Sequence, residues 1–320
     1  MHVAVYLPLL SGALLGLVAQ RLARLLPPAT AAWLLTCAGV LVATATSFAL
    51  AMLAVTLVGE AAPIAALGPW STTALEAASP VPDATSVLAG LALLVIAVLA
   101  GRVAIRRAKA AAAARRLCAA LGGGPGDLVV VDDPAVDAFA VPALRGRVVA
   151  SRALLASLPA DERRAVLAHE SAHLRHRHHR HRLAVELAAA MNPLLRPLVD
   201  AVDYATERWA DEDAAAALGS RAVVARALAR AGLRAAAADR RTVWGVASMS
   251  ATADPSRLIL RVEALLAPAA RRRPGLVCAV AMLVILTVGA TVEAQRDSED
   301  LFEDSTVTVA VHQPGPALNP

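Results

Sequence analysis

Residues 157–175 read SLPADERRAVLAHESAHLR, and within them His169-Glu170-Ser171-Ala172-His173 forms an H-E-x-x-H pattern. Pro159 ahead of the run, with Asp161 and Glu162 in the first turn, marks a helix start, because proline presets φ and acidic side chains complement the helix dipole. On a helix, side chains four residues apart lie one above the other on the same face. Both imidazoles can then reach one tetrahedral zinc ion, with Glu170 beside them.

Those residue types suit peptide hydrolysis. Neutral imidazoles bind zinc without quenching its charge, so the ion can acidify a water and polarise a carbonyl. Glu170 is the candidate general base, taking the proton from that water and passing it to the leaving amine. Further along, YATERWADEDAAAALG (204–219) reads as a second helix ending at Gly219. Glu207 on it is the candidate third ligand, completing a His169, His173, Glu207 set for one zinc ion per chain. Asp211, one turn later, is placed to accept the other ring N–H of a bound histidine and so fix its tautomer.

With these residues the chain resembles the integral-membrane zinc peptidases of the gluzincin type, specifically the BlaR/MecR-type antirepressor peptidases, relatives of HtpX and the CAAX-prenyl endopeptidases. The resemblance also takes in an apolar N-terminal region, DAFAVPALRGRVVAS before the motif and DPSRLILRVEALL after it. It implies an α+β peptidase domain with a small sheet and a protein substrate, most concretely a winged-helix repressor of the BlaI/MecI type. No long penicillin-binding segment follows the last apolar run, so a beta-lactam signal is not implied.

A composition of 58% hydrophobic residues, 3% aromatics and a mean hydropathy of +0.57 is that of a membrane protein. Four apolar runs are expected to span the bilayer: 3–19, 31–58, 85–101 and 276–292. Arg21 and Arg24 after the first make it an anchor rather than a cleaved signal. The 31–58 run is free of charge and long enough to cross about 30 Å with tilt. Arginines follow the first span, Arg102, Arg106, Arg107, Lys109, Arg115 and Arg116 follow the third, and Arg271 to Arg273 precede the fourth. The 59–84 loop has acidic residues and no lysine or arginine, and the tail after 293 is mostly acidic. The positive-inside rule therefore puts both termini outside a cell membrane and residues 102–275 in the cytoplasm. The expected division is a three-helix membrane region (1–101), a cytoplasmic zinc peptidase domain (102–275), a fourth membrane helix (276–292) and a disordered extracytoplasmic tail (293–320).

A net charge of +5 and a pI near 9.8 do not argue for nucleic acid, because the cations cluster beside the spans, where anionic headgroups attract them. The lipid bilayer, not nucleic acid, is the expected partner besides a protein substrate. Three cysteines, none at metal-ligand spacing, build no disulfide framework. Gly122-Gly123-Gly124-Pro125-Gly126 lacks the ending of a phosphate loop and reads as a turn.

Two β-prone runs, Leu128 to Val131 and Arg147 to Ala150, flank Asp137-Ala138-Phe139-Ala140. In the resembling peptidases such a segment forms the sheet edge on which substrate lies as an added strand. Asp137 stands where those relatives carry asparagine, and the segment reads equally as an ordinary internal strand. The tract 174–181 alternates histidine with arginine and reads as a solvated basic face rather than a further metal site. The motif helix is expected to continue to Met191, break at Asn192-Pro193 and return through 194–218 as an antiparallel partner. The intervening 183–202 stretch is expected to graze the bilayer rather than cross it. A helix near 255–266 resembles one that lies near the active site in these peptidases, with Asp254 where several carry histidine. Tyr204, Arg257 and Arg261 are the oxyanion candidates. Two alternatives stand beside the endopeptidase: a catalytically silent zinc-binding sensor or scaffold, and a quality-control protease. A metal transporter is disfavoured, because the four spans carry essentially no ionisable residue.

Overall fold

The computed structural model describes residues 6–60, 83–120, 128–132, 138–142, 146–237 and 255–311. Three long helices come first: α1 (Leu7–Leu25), α2 (Pro28–Glu60) and α3 (Asp83–Ala120). A three-stranded sheet follows, made of β1 (Leu128–Val131), β2 (Ala138–Val141) and β3 (Arg147–Ser151). The remainder is helical: α4 (Arg152–Ser157), α5 (Ala160–Arg175), α6 (His178–Met191), a 3-10 turn (Pro193–Leu195), α7 (Arg196–Leu218), α8 (Arg221–Ala237), α9 (Pro255–Leu266) and α10 (Pro274–Val311).

Among the described residues three helices are long and apolar enough to cross a membrane, over Pro28–Ala54, Ala84–Ala120 and Pro274–Arg296. The first expected span lies in α1, which is not one of the three. That helix has 19 residues and carries two arginines near its end, and residues 1–5 lie outside the described ones. The third span runs on without a break into the basic segment as one 38-residue helix. The last one also continues past 292, as a helix to Val311 rather than a disordered tail from 293. No glycine or proline interrupts residues 290–313 to stop it.

The largest core joins α1, α2, α6 and α7 through Leu15, Leu35, Val185, Leu195, Leu198 and Val202, each fully buried. The α6–α7 hairpin is thus wedged among the apolar helices, more deeply than a grazing segment. Asn192 secures its apex, accepting from Leu194 N at Oδ1 (3.1 Å) and donating from Nδ2 to Thr46 Oγ1 (3.0 Å). Arg208 of α7 donates to the Ala23 carbonyl at 2.9 Å, satisfying an end carbonyl of α1 that helix geometry leaves unpaired.

The sheet order is β1-β3-β2, with β1 parallel and β2 antiparallel to β3. Ala138 and Ala150 pack with Leu154 and Leu158 against Val166 and Leu167 of α5. Val141 and Val149 cover Ala114 of α3. Serine 151 ends the sheet and caps α4, its Oγ accepting from Leu154 N at 3.1 Å.

The motif helix does not run to Met191. It stops at Arg175, and Arg177 adopts φ 53° before α6 begins. A left-handed arginine is an uncommon hinge, since a Cβ makes that region costly. It redirects the chain so that α6 turns one face back toward α5.

Candidate metal centre

Four helices converge on the site. From α5 come His169, Glu170 and His173; from α7, Glu207 and Asp211; from α6, His178 and Arg182; and from α9, Arg261. The Nε2 atoms of His169 and His173 lie 3.1 Å apart. Glu207 Oε2 is 3.5 Å from the first, and its Oε1 is 3.5 Å from the second. Ligand atoms about 2.0–2.1 Å from a tetrahedral ion lie about 3.3 Å from one another, so the three separations fit one such ion. Two imidazole nitrogens and a carboxylate facing each other at this range suit a cation, and His169, His173 and Glu207 are the group that could hold it.

The other ring nitrogens are also engaged. His169 Nδ1 is 2.9 Å from Asp211 Oδ1, as its spacing from Glu207 anticipates. His173 Nδ1 is 2.9 Å from Nδ1 of His178. With both Nε2 lone pairs turned inward, each Nδ1 carries the proton and donates outward.

Two guanidinium groups hold the carboxylates. Arg261, 2% exposed, donates from Nε and Nη2 to the two oxygens of Asp211 (2.8 and 2.7 Å), and its Nη1 lies 2.8 Å from Glu207 Oε2. Arg182 donates to Glu207 Oε1 at 2.5 Å and reaches Asp203 at 2.9 Å. Asp203 is also paired with Arg257, so the three carboxylates Asp203, Glu207 and Asp211 are matched by three guanidinium groups.

Protonation follows from these contacts. Burial opposes the charged form of Glu207, but Arg261 and His173 outweigh it and hold the carboxyl well below its usual range. Burial likewise opposes ionised Asp211, yet the Arg261 charge and hydrogen bonds hold it at about 2. In the metal-free chain burial disfavours protonated His169, but the hydrogen bonds with Asp211 and Glu207 prevail and push it up to about 10. Burial is decisive for His173, held down to about 3, and for His178, held down to about 2.

The oxyanion candidates sit elsewhere or are occupied. All three nitrogens of Arg261 face Asp211 and Glu207. Arg257 pairs with Asp203 at 3.0 Å and Asp200 at 2.5 Å. Tyr204 is buried in the core with α1 and α2, with the Arg208 guanidinium 5.7 Å from its ring centre. Among the described residues β2 is an edge strand whose one partner is β3, so Ala138, Phe139 and Ala140 lie on a sheet edge and the strand packs beside α5. Asp137 lies outside the described residues.

The histidine tract differs from the solvated face expected of it. His178 and His181, 1% and 5% exposed, turn inward with Arg182, while Arg177, His179 and Arg180 remain outside. His176 stacks on Trp209 at 4.4 Å and lies 3.0 Å from Asp213. His181 meets Thr36 at 3.1 Å and Trp33 edge-on at 4.6 Å. Sequence reasoning missed His178 and Arg182. The available signal was their i, i+4 spacing, in phase with Val185 and Ala189 on the buried side of α6.

The sequence model of peptidase family M48 matches residues 104–267, just over half of the 320-residue chain. The matched region contains every residue of the site. No curated protein and no solved structure matches the chain.

Proposed function

Because the chain belongs to peptidase family M48, we propose that it is an integral-membrane zinc endopeptidase in which His169, His173 and Glu207 hold one zinc ion and Glu170 is the general base. The observation that carries this reading is the facing of the two Nε2 atoms and the Glu207 carboxylate at 3.1–3.5 Å, with Glu170 on the same helix. Zinc bound there supplies the charge that acidifies water and polarises the scissile carbonyl.

The chain's own residues do the rest. Glu170 removes a proton from water and delivers it to the leaving amine. Asp211 and His178 orient the two imidazoles, and Arg261 and Arg182 fix the Glu207 carboxylate. Tyr204, Arg257 and Arg261 are engaged with other partners, so the oxyanion role is assigned to none of them. An extended substrate adds to the edge of β2 that β3 leaves unpaired, where backbone groups give affinity and alternate side chains give selectivity.

The substrate of this reading is a cytoplasmic or membrane-proximal protein, with a winged-helix repressor of the BlaI/MecI type as the concrete candidate. Four spans, the first in α1, place both termini outside and the 102–275 domain in the cytoplasm. The arginines at the ends of the apolar runs support that orientation. The test is cleavage of such a repressor, and of an unfolded protein, by the detergent-purified chain before chelation, after it, and after zinc is restored. Activity that vanishes and returns supports the reading; undiminished cleavage by fully chelated protein overturns it.

A further inference from the structure

A cavity of about 770 Å³, well away from the metal centre, opens between α3 and the apex of the α6–α7 hairpin. Its apolar wall is made by Leu99, Val103 and Ile105 of α3 with Ala189 and Ala190 of α6. Its cations are Arg102, Arg106 and Lys109 along one side and Arg196 across from them. The volume is that of a small-ligand pocket.

The charges here are arranged for an anion. Arg102, Arg106 and Lys109 recur at helical spacing along roughly 10 Å of α3. The neighbouring carboxylate, Glu186, is held by Arg107 through Nε at 2.8 Å, and Arg106 is only 3.7 Å from it. Among the described residues no carboxylate pairs with Arg102, Lys109 or Arg196. Arg102, Lys109 and Arg196, which line one cavity with no paired carboxylate among the described residues, repel one another, and an anion between them relieves that repulsion.

The level of the cavity identifies the anion. Residues 84–101 of α3 are free of charge, and only 6% of the most apolar window of that helix is buried in the protein, so this wall faces lipid. Its first cation, Arg102, falls where the apolar segment ends. Arg196, exposed at the hairpin apex, lines the same cavity from the opposite side. The cavity thus sets an apolar wall that includes Leu99 directly beside its cations, the pairing that an acyl chain and its anionic headgroup require.

The geometry points to a binding site for one anionic phospholipid, its phosphate among Arg102, Arg106, Lys109 and Arg196 and its acyl chains along Leu99, Val103 and the Ala189–Ala190 wall. The bound lipid joins α3 to α6, the helix that carries His178 and Arg182. This inference rests on the reading of α3 as a membrane span and is independent of the peptidase reading.

The test uses the full chain, delipidated in a neutral detergent, with bound lipid counted by native mass spectrometry. Short-chain phosphatidylglycerol and phosphatidylcholine are offered at equal concentration, and inorganic phosphate competes in a separate arm. One phosphatidylglycerol is expected to bind at least about tenfold more tightly than phosphatidylcholine. The Arg102→Gln/Lys109→Gln/Arg196→Gln variant is expected to lose that preference. Arg115→Gln/Arg116→Gln, which removes two exposed cations of the same helix outside the cavity, is expected to keep it. Arg196→Gln alone, an exposed single change, gives the same readout with a weaker effect should the triple variant fail to fold. Equal occupancy by the two lipids, or equal losses in the cavity and control variants, overturns the site. Displacement by inorganic phosphate at the lipid's concentration overturns the phospholipid and leaves a bare anion site. Insertion of the chain into phosphatidylcholine nanodiscs tests the span separately.

Discussion

His173 and His178 face each other Nδ1 to Nδ1 at 2.9 Å across the left-handed turn at Arg177. One candidate ligand, His169, is thus backed by a carboxylate, and the other by a neutral imidazole. His178 Nε2 is buried with no hydrogen-bond partner among the described residues, and the ring lies 5.0 Å from Trp209. Replacing His178 by phenylalanine removes the acceptor while keeping a ring in place. Loss of such an outer partner typically costs 10–100-fold in metal affinity. Competition with a chromophoric chelator should show that drop for His178→Phe and a smaller one for His178→Asn, whose amide oxygen can still accept.

Arg261 serves two carboxylates at once while almost fully buried. Removing one partner of a buried ionic network costs about 3–5 kcal/mol, because the remaining charges stay desolvated. Arg261→Leu should lower the thermal midpoint of the metal-free protein sharply, and Arg261→Lys less so. An unchanged midpoint for Arg261→Leu would show that the network contributes little to stability.

The metal-free chain should be most stable near pH 6.5. His169 is raised to about 10, so its contribution is complete below the ordinary imidazole value of 6.5 and is lost as pH rises toward 10. His173 and His178 are lowered to about 3 and 2, so theirs is present above 6.5 and lost as pH falls toward those values. Asp211, lowered to about 2, adds a loss below about pH 4. Thermal midpoints from pH 4 to 9 should trace a maximum, and His169→Gln should flatten its alkaline side.

Gly12 and Gly16 let α1 approach the hairpin apex. A Cβ at Gly12 would lie 2.6 Å from Asn192 Nδ2, and one at Gly16 would press on the Leu194 carbonyl. Gly16→Val should therefore destabilise the chain by about 1–3 kcal/mol, the usual cost of overpacking. Gly90→Val, where nothing lies within 4 Å of the added atom, should be tolerated. Thermal aggregation of the two variants in detergent checks the contrast.

The parts of this architecture that were legible in advance are those carried by short-range periodicity. The i, i+4 spacing puts His169 over His173 and Glu207 over Asp211, Gly219 ends α7 at φ 69°, and both β-prone runs form strands. What stayed hidden depends on long-range pairing or on an unsignalled bend. Nothing in His176-Arg177 resembles a helix stop, since neither glycine nor proline is present, so the bend itself had no local cue, although the i, i+4 phase of His178 and Arg182 with Val185 marked the buried side of α6. Arg261 is 50 residues from Asp211, and its three-way pairing needs the fold itself. The depth of the α6–α7 hairpin depends on α1 and α2, far earlier in the chain.

The central claim is most directly tested by the Glu170→Gln variant, with its zinc content and protein cleavage measured side by side with the wild type in detergent. The account predicts one zinc ion in each protein and cleavage by the wild type alone. A variant that holds its zinc and cuts as fast as the wild type would contradict the role of Glu170, and a wild type that binds no metal would contradict the site itself.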